Sequence, residues 1–149
     1  MRLAIIVFVF CLVLSGSVRN AEACSCTAVP NSTRESRLEI VRRAVVSSDF
    51  VFLGKLVSGD DATAVLAVEK VWKGQLDQTV RLHQATRRGP ELIEWNTCVL
   101  QVSKGTWVIF ARQKEPGLFV SGVCSPSGRL EHRAEVLEFL KEISGVDLR

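Results

Sequence analysis

Histidine is nearly missing from this chain: the 149 residues contain two, His83 and His132. They lie far apart in no ligand pattern, so both are predicted on the surface and not in a metal centre. No Cys-x-x-Cys pair is present, which removes the usual spacing of a structural zinc site. A nucleophile elbow and a glycine-rich phosphate loop are also missing, and these absences point away from an enzyme. There is no internal repeat and no low-complexity tract. The net charge of +3 is too weak to favour nucleic acid or an anionic membrane surface. Residues 3–14, "LAIIVFVFCLVL", form an unbroken apolar run, but it is shorter than the roughly 20 residues that cross a bilayer as a helix.

That run sits behind a short basic start, Met1-Arg2, and is followed by "SGSVRN" and the small pair Ala21 and Ala23. The layout predicts a secretory signal peptide over residues 1–23, cleaved after Ala23, with Cys24 first in the exported chain. The destination is the cell exterior or, in a bacterium, the periplasm. Two arginines and one glutamate leave with the leader, so the net charge falls from +3 to +2. Cys11 leaves too, and Cys24, Cys26, Cys98 and Cys124 remain. An even count in an exported chain reads as two disulfides. Cys24 and Cys26 could bond to each other only through a small strained ring, so two pairings stay open. Either ties both N-terminal cysteines to distant points, closing loops of roughly 75 to 100 residues at about 4–5 kcal/mol each. A lipidated Cys24 is a further reading, against which Glu22 counts.

Ser32-Thr33-Arg34-Glu35 has the spacing of a helix capping box, and Leu38, Val41 and Val45 share a face behind it, predicting a helix to about Val46. Residues 50–57, "FVFLGKLV", read as a strand with a bulge at Gly54. "SGDD" turns the chain into a second strand, residues 62–72, and "TVRLHQA", residues 79–85, alternates as a third. Residues 87–95 read as a loop broken by Gly89-Pro90. "TWVIFARQ", residues 106–113, and "LFVSGVCS", residues 118–125, are the fourth and fifth strands. Residues 130–143 predict an amphipathic helix with Val136, Leu137, Leu140 and Ile143 on its apolar face. The expected fold is mainly β with flanking helices, a small five-stranded barrel. Trp72, Trp95 and Trp107 read as core or rim packing, Arg87-Arg88 as a solvated loop, and Asn31-Ser32-Thr33 fits a glycosylation acceptor.

The start Cys24-Ser25-Cys26, the later Cys98 and Cys124, and the five strands resemble the N-terminal, netrin-like domain of the tissue inhibitors of metalloproteinases. Softer matches are "FLGKL" at residues 52–56, "VWKG" at 71–74, and Gly105 followed by "WVIFA". The resemblance covers residues 24–149 and implies an oligonucleotide/oligosaccharide-binding (OB) barrel with bridges Cys24–Cys98 and Cys26–Cys124. The family has a third bridge in this domain, for which no cysteines exist here. Vertebrate members continue into a second cysteine-rich domain, whereas residues 125–149 contain no cysteine. The family also places a proline two residues after its second cysteine, and here Pro30 stands four after Cys26.

What the resemblance implies is a monomeric inhibitor of zinc metalloendopeptidases that carries no cofactor of its own. The α-amine and carbonyl of Cys24 would chelate the protease's zinc and displace its catalytic water. An unperturbed α-amine titrates at about 7.7–8.0, so much of it is neutral and able to donate near neutral pH. Ser25 would enter the specificity pocket. Cys26, Thr27 and Ala28 would continue the ridge, with Asn96, Thr97 and Cys98 as a second contact segment. The alternative is a secreted netrin-like binding or structural module that touches no protease zinc.

Overall fold

The computed structural model describes residues 24, 26, 33–88, 92–95 and 98–144. In chain order the elements are α1 (Arg34–Ser47), β1 (Phe50–Gly59), β2 (Thr63–Lys73), β3 (Thr79–His83), β4 (Ala85–Arg88) and β5 (Leu92–Trp95). Then follow β6 (Thr106–Glu115), β7 (Leu118–Val120), β8 (Gly128–Arg129), a 3-10 turn at Leu130–His132 and α2 (Ala134–Ile143). The predicted signal segment lies outside the described residues.

Strands β1-β2-β3-β7-β6 are hydrogen-bonded in that order, and β6 pairs back onto β1, closing a five-stranded barrel. β3 and β7 run parallel, Arg81 opposite Leu118 and Leu82 opposite Phe119, while the other barrel pairs are antiparallel. This is the OB-type strand order, and the β1–β6 pairing closes the sheet on itself, while the short β8 adds to β6.

Alternation along β1 and β6 explains why the helices sit where they do. Phe52 and Ile109 point into the barrel with Ala64, Leu66, Leu82 and Trp107. Their neighbours Val51, Val108 and Phe110 point outward and are equally buried, because α1 and α2 cover that face with Val41, Val45, Val136, Phe139 and Leu140. At about 1.5–3 kcal/mol for each fully buried large apolar side chain, these two cores supply the main stabilisation. Arg37 joins the helices by donating Nε and Nη2 to the two carboxylate oxygens of Glu135, at 3.0 and 2.9 Å. Both partners are well exposed, so solvent screens the pair and the apolar contact carries the packing.

Gly54 falls at one of three register shifts between β1 and β2. A Cβ there would stand 3.0 Å from the Phe52 ring and 3.3 Å from Leu66 Cβ, so a larger residue at this bulge would have to push the Phe52 ring aside. At the far end of β2, Lys73 Nζ donates to the carbonyls of Val45 (2.8 Å), Val46 (3.1 Å) and Ser48 (2.7 Å), satisfying the C-terminal end of α1.

Several sequence expectations need correction. The cap of α1 is Thr33 and not Ser32: Thr33 Oγ1 accepts the Ser36 N–H at 3.2 Å. The 87–95 loop is largely a hairpin, β4 against β5 with Arg87 opposite Ile93, because the runs on either side of Gly89-Pro90 can pair. The fifth strand ends at Val120, and residues 130–132 form a 3-10 turn before α2 begins at Ala134. His132 is exposed as expected, but His83 is buried, its Nε2 standing 3.2 Å from Lys114 Nζ. Burial and the Lys114 charge both push the His83 pKa down, with Glu115 opposing.

Candidate functional site

The site is built from the two segments that carry the later cysteines. Past Cys98, Leu100 and Val102 are buried in the barrel core, which draws this stretch against the barrel end. Gln84, itself buried, fastens it: its Oε1 accepts the Val102 N–H at 2.7 Å and its backbone carbonyl accepts Gln101 Nε2 at 2.6 Å. The second segment leaves β7 at Ser121. Val99 and Gly122 form an antiparallel bridge. Leu100 N–H donates to the Ser121 carbonyl at 2.7 Å, and Val123 N–H to the Cys98 carbonyl at 3.0 Å. The two segments therefore form one hydrogen-bonded platform.

Three serine hydroxyls hold the loop around Cys124. Ser127 Oγ lies 2.9 Å from Ser121 Oγ and 2.8 Å from Ser125 Oγ, and the third side of the triangle is 3.2 Å. Ser127 Oγ also accepts the Phe110 N–H at 2.8 Å, which ties the loop to β6. Ser121 and Ser127 are buried, and the triangle lets these polar groups satisfy one another.

Onto this platform the N-terminal cysteines are bonded. Of the two pairings left open by ring geometry, the structure has Cys24–Cys98, with Cα atoms 5.2 Å apart, and Cys26–Cys124, at 5.3 Å. Cys24 is half-buried, while Cys26, Cys98 and Cys124 are exposed. The bridges thus lie at the surface, as an edge and not as core struts. The candidate contact residues Ser25, Thr27, Ala28, Asn96 and Thr97 lie outside the described residues. Beside Cys124 a cavity of about 540 Å³ opens between the helices, walled by Leu38, Val41, Pro126 and Val136. At its rim the hydrogen bonds from Arg37 hold the Glu135 carboxyl below the usual carboxylate range.

Among the described residues no group of three or more His, Cys, Asp or Glu is placed to hold a metal, and no helix is long and apolar enough to cross a membrane. The chain matches no protein-family model and no curated protein.

Sequence reasoning located the four cysteines but missed Gln84, Ser121, Ser125 and Ser127. A signal was present in "SGVCSPS", where three serines fall within seven residues around one cysteine. An amide directly after the apolar alternation of β3 was the corresponding hint for Gln84.

Proposed function

We propose that this protein is a secreted inhibitor of zinc metalloendopeptidases, with the backbone of Cys24 as the zinc-binding group. The observation that supports the reading is the bonding of both cysteines flanking Ser25 to a single hydrogen-bonded platform. A three-residue wedge clamped at both ends loses little freedom on docking, which favours affinity. The amine and carbonyl of Cys24 would occupy the open coordination position that a catalytic zinc keeps for water, and a protease without that water cannot generate its nucleophile. Ser25 would fill the adjoining pocket. The Cys24 sulfur, held in its bridge, positions the terminus and does not itself bind metal.

The test is one alanine inserted before Cys24, with native and extended forms both verified by mass. An amide nitrogen is a very poor zinc donor, and the added residue stands where the metal should sit. The extended form is expected to lose inhibition by several kcal/mol, each 1.4 kcal/mol being about tenfold, while bridges and melting temperature stay as they are. Equal inhibition by both forms would remove Cys24 from the zinc-binding role. If neither form inhibits any member of a zinc-protease panel, the barrel is a binding module.

A further inference from the structure

Arg133 occupies the N-cap position of α2, yet its side chain makes no capping bond to that helix. It reaches instead to the loop that carries Cys124. Nε donates to the Pro126 carbonyl at 3.0 Å, Nη2 to the Ser127 carbonyl at 3.0 Å, and Nη1 to the His132 carbonyl at 3.1 Å. The guanidinium lies flush on Gly128, where an added Cβ would come within 2.5 Å of Nε and 2.6 Å of Cζ and Nη2. Gly128 is itself paired to Val108 of β6. A planar fork thus grips two successive carbonyls just after Cys124, on a spot that only glycine leaves open.

We infer that Arg133 is a positioning residue for the inhibitory edge. By holding Pro126 and Ser127 it fixes Cys124, and the Cys26–Cys124 bridge carries that position to the segment bearing Ser25 and the Cys24 amine. The inference rests on the inhibitor reading. Without the fork the edge must be ordered on docking, an effect of up to about tenfold in affinity for each side chain ordered. The loss falls mainly on the dissociation rate.

The experiment compares Arg133→Ala, Gly128→Ala, the double variant and Arg133→Lys in the secreted protein. Each single alanine variant should inhibit about tenfold more weakly, with faster dissociation. Gly128→Ala acts by displacing a flexible guanidinium, so it should add nothing in the Arg133→Ala background. Arg133→Lys, able to reach one carbonyl, should recover part of the loss. Hydrogen exchange at the Val123 amide, which donates to the Cys98 carbonyl, should quicken in both single alanine variants while amides in β2 and β3 do not change. Full-strength inhibition by Arg133→Ala, additive effects of the two alanine substitutions, or unchanged Val123 exchange would each overturn the inference. If the unaltered protein inhibits no zinc protease, the inhibitor reading falls and the inhibitory role of Arg133 falls with it. Val123 exchange then decides only whether the fork holds the loop.

Discussion

Val99 and Gly122 face one another across an isolated antiparallel bridge, the first adjoining Cys98 and the second two residues before Cys124. This one pairing makes neighbours of segments that are far apart in the chain. Because of it, the two disulfides end on a shared base, and anything that shifts one anchor is transmitted to the other. Buried Leu100 and Val102 on one side and the serine triangle on the other keep that base against the barrel.

The two bridges should be nearly equal in stability and unequal in function. Loop-closure entropy depends on the logarithm of loop length, so separations of 74 and 98 residues differ by only about 0.2–0.3 kcal/mol in a total of about 4–5 kcal/mol each. Replacing Cys24 and Cys98 by serine should cost about as much in urea unfolding as replacing Cys26 and Cys124. On the inhibitor reading, inhibition should suffer more from loss of the first pair, whose bridge would position the zinc-binding amine of Cys24. A gap above about 1 kcal/mol between the two losses would show that chain entropy is not what the bridges chiefly contribute.

Lys73 reports on the junction between barrel and helix. Its ammonium satisfies three carbonyls around the end of α1, on a residue that is itself only half-exposed. Lys73→Met keeps most of the stem and removes the donors. The expected destabilisation is about 2–3 kcal/mol, since hydrogen bonds to charged groups contribute about 1.5–3 kcal/mol and water can replace part of the set. Thermal melting measures it, and a loss under about 0.5 kcal/mol would mean that solvent serves those carbonyls equally well.

The barrel was legible because its strands are runs of β-branched and aromatic residues, "FVFLGKLV" and "TWVIFARQ" above all, bounded by turn residues. Less legible were places where pairing depends on distant chain. The stretch 118–125 stays apolar enough to read as one strand, yet from Ser121 onward its partners are Val99 and a hydroxyl cluster, which no local period encodes. Likewise Gly89-Pro90 marks a break, and whether the flanks pair across it depends on the rest of the fold. At the site, cysteine identity and position could be read directly. The platform could not, because serine, glutamine and arginine are also ordinary surface residues.

His83 should make the protein's stability fall in mild acid. Its folded pKa lies below the ordinary histidine value, through burial first and the Lys114 charge second. The unfolded chain therefore binds the proton more readily. Stability from the neutral ring is complete above about pH 6.5 and is lost progressively as pH falls toward the folded pKa. The slope should reach at most about 1.4 kcal/mol per pH unit. His83→Gln should flatten the melting temperature between pH 5 and 7, while the carboxylates lowered by arginine partners, Glu39 and Glu135, act only at lower pH. Identical slopes in both proteins would exclude His83 as the source.

Ser25 offers the sharpest separation of function from stability. In the sequence it stands between Cys24 and Cys26, which are both bonded to the platform. On the inhibitor reading only the hydroxymethyl group enters the protease pocket. Ser25→Gly empties that space and should weaken inhibition by about 1–3 kcal/mol, the range for one small group in a fitted pocket. Ser25→Arg should abolish inhibition of proteases with shallow pockets and spare those whose pocket is deep. Neither change should move the melting temperature by more than the scatter typical of surface substitutions, about 0.5 kcal/mol in stability. Inhibition constants across a panel of zinc proteases, read beside melting curves of the same preparations, decide it. If stability and inhibition fall together, Ser25 is part of the fold and the wedge assignment is wrong. If inhibition is indifferent to both substitutions, the pocket is filled by another residue of the edge.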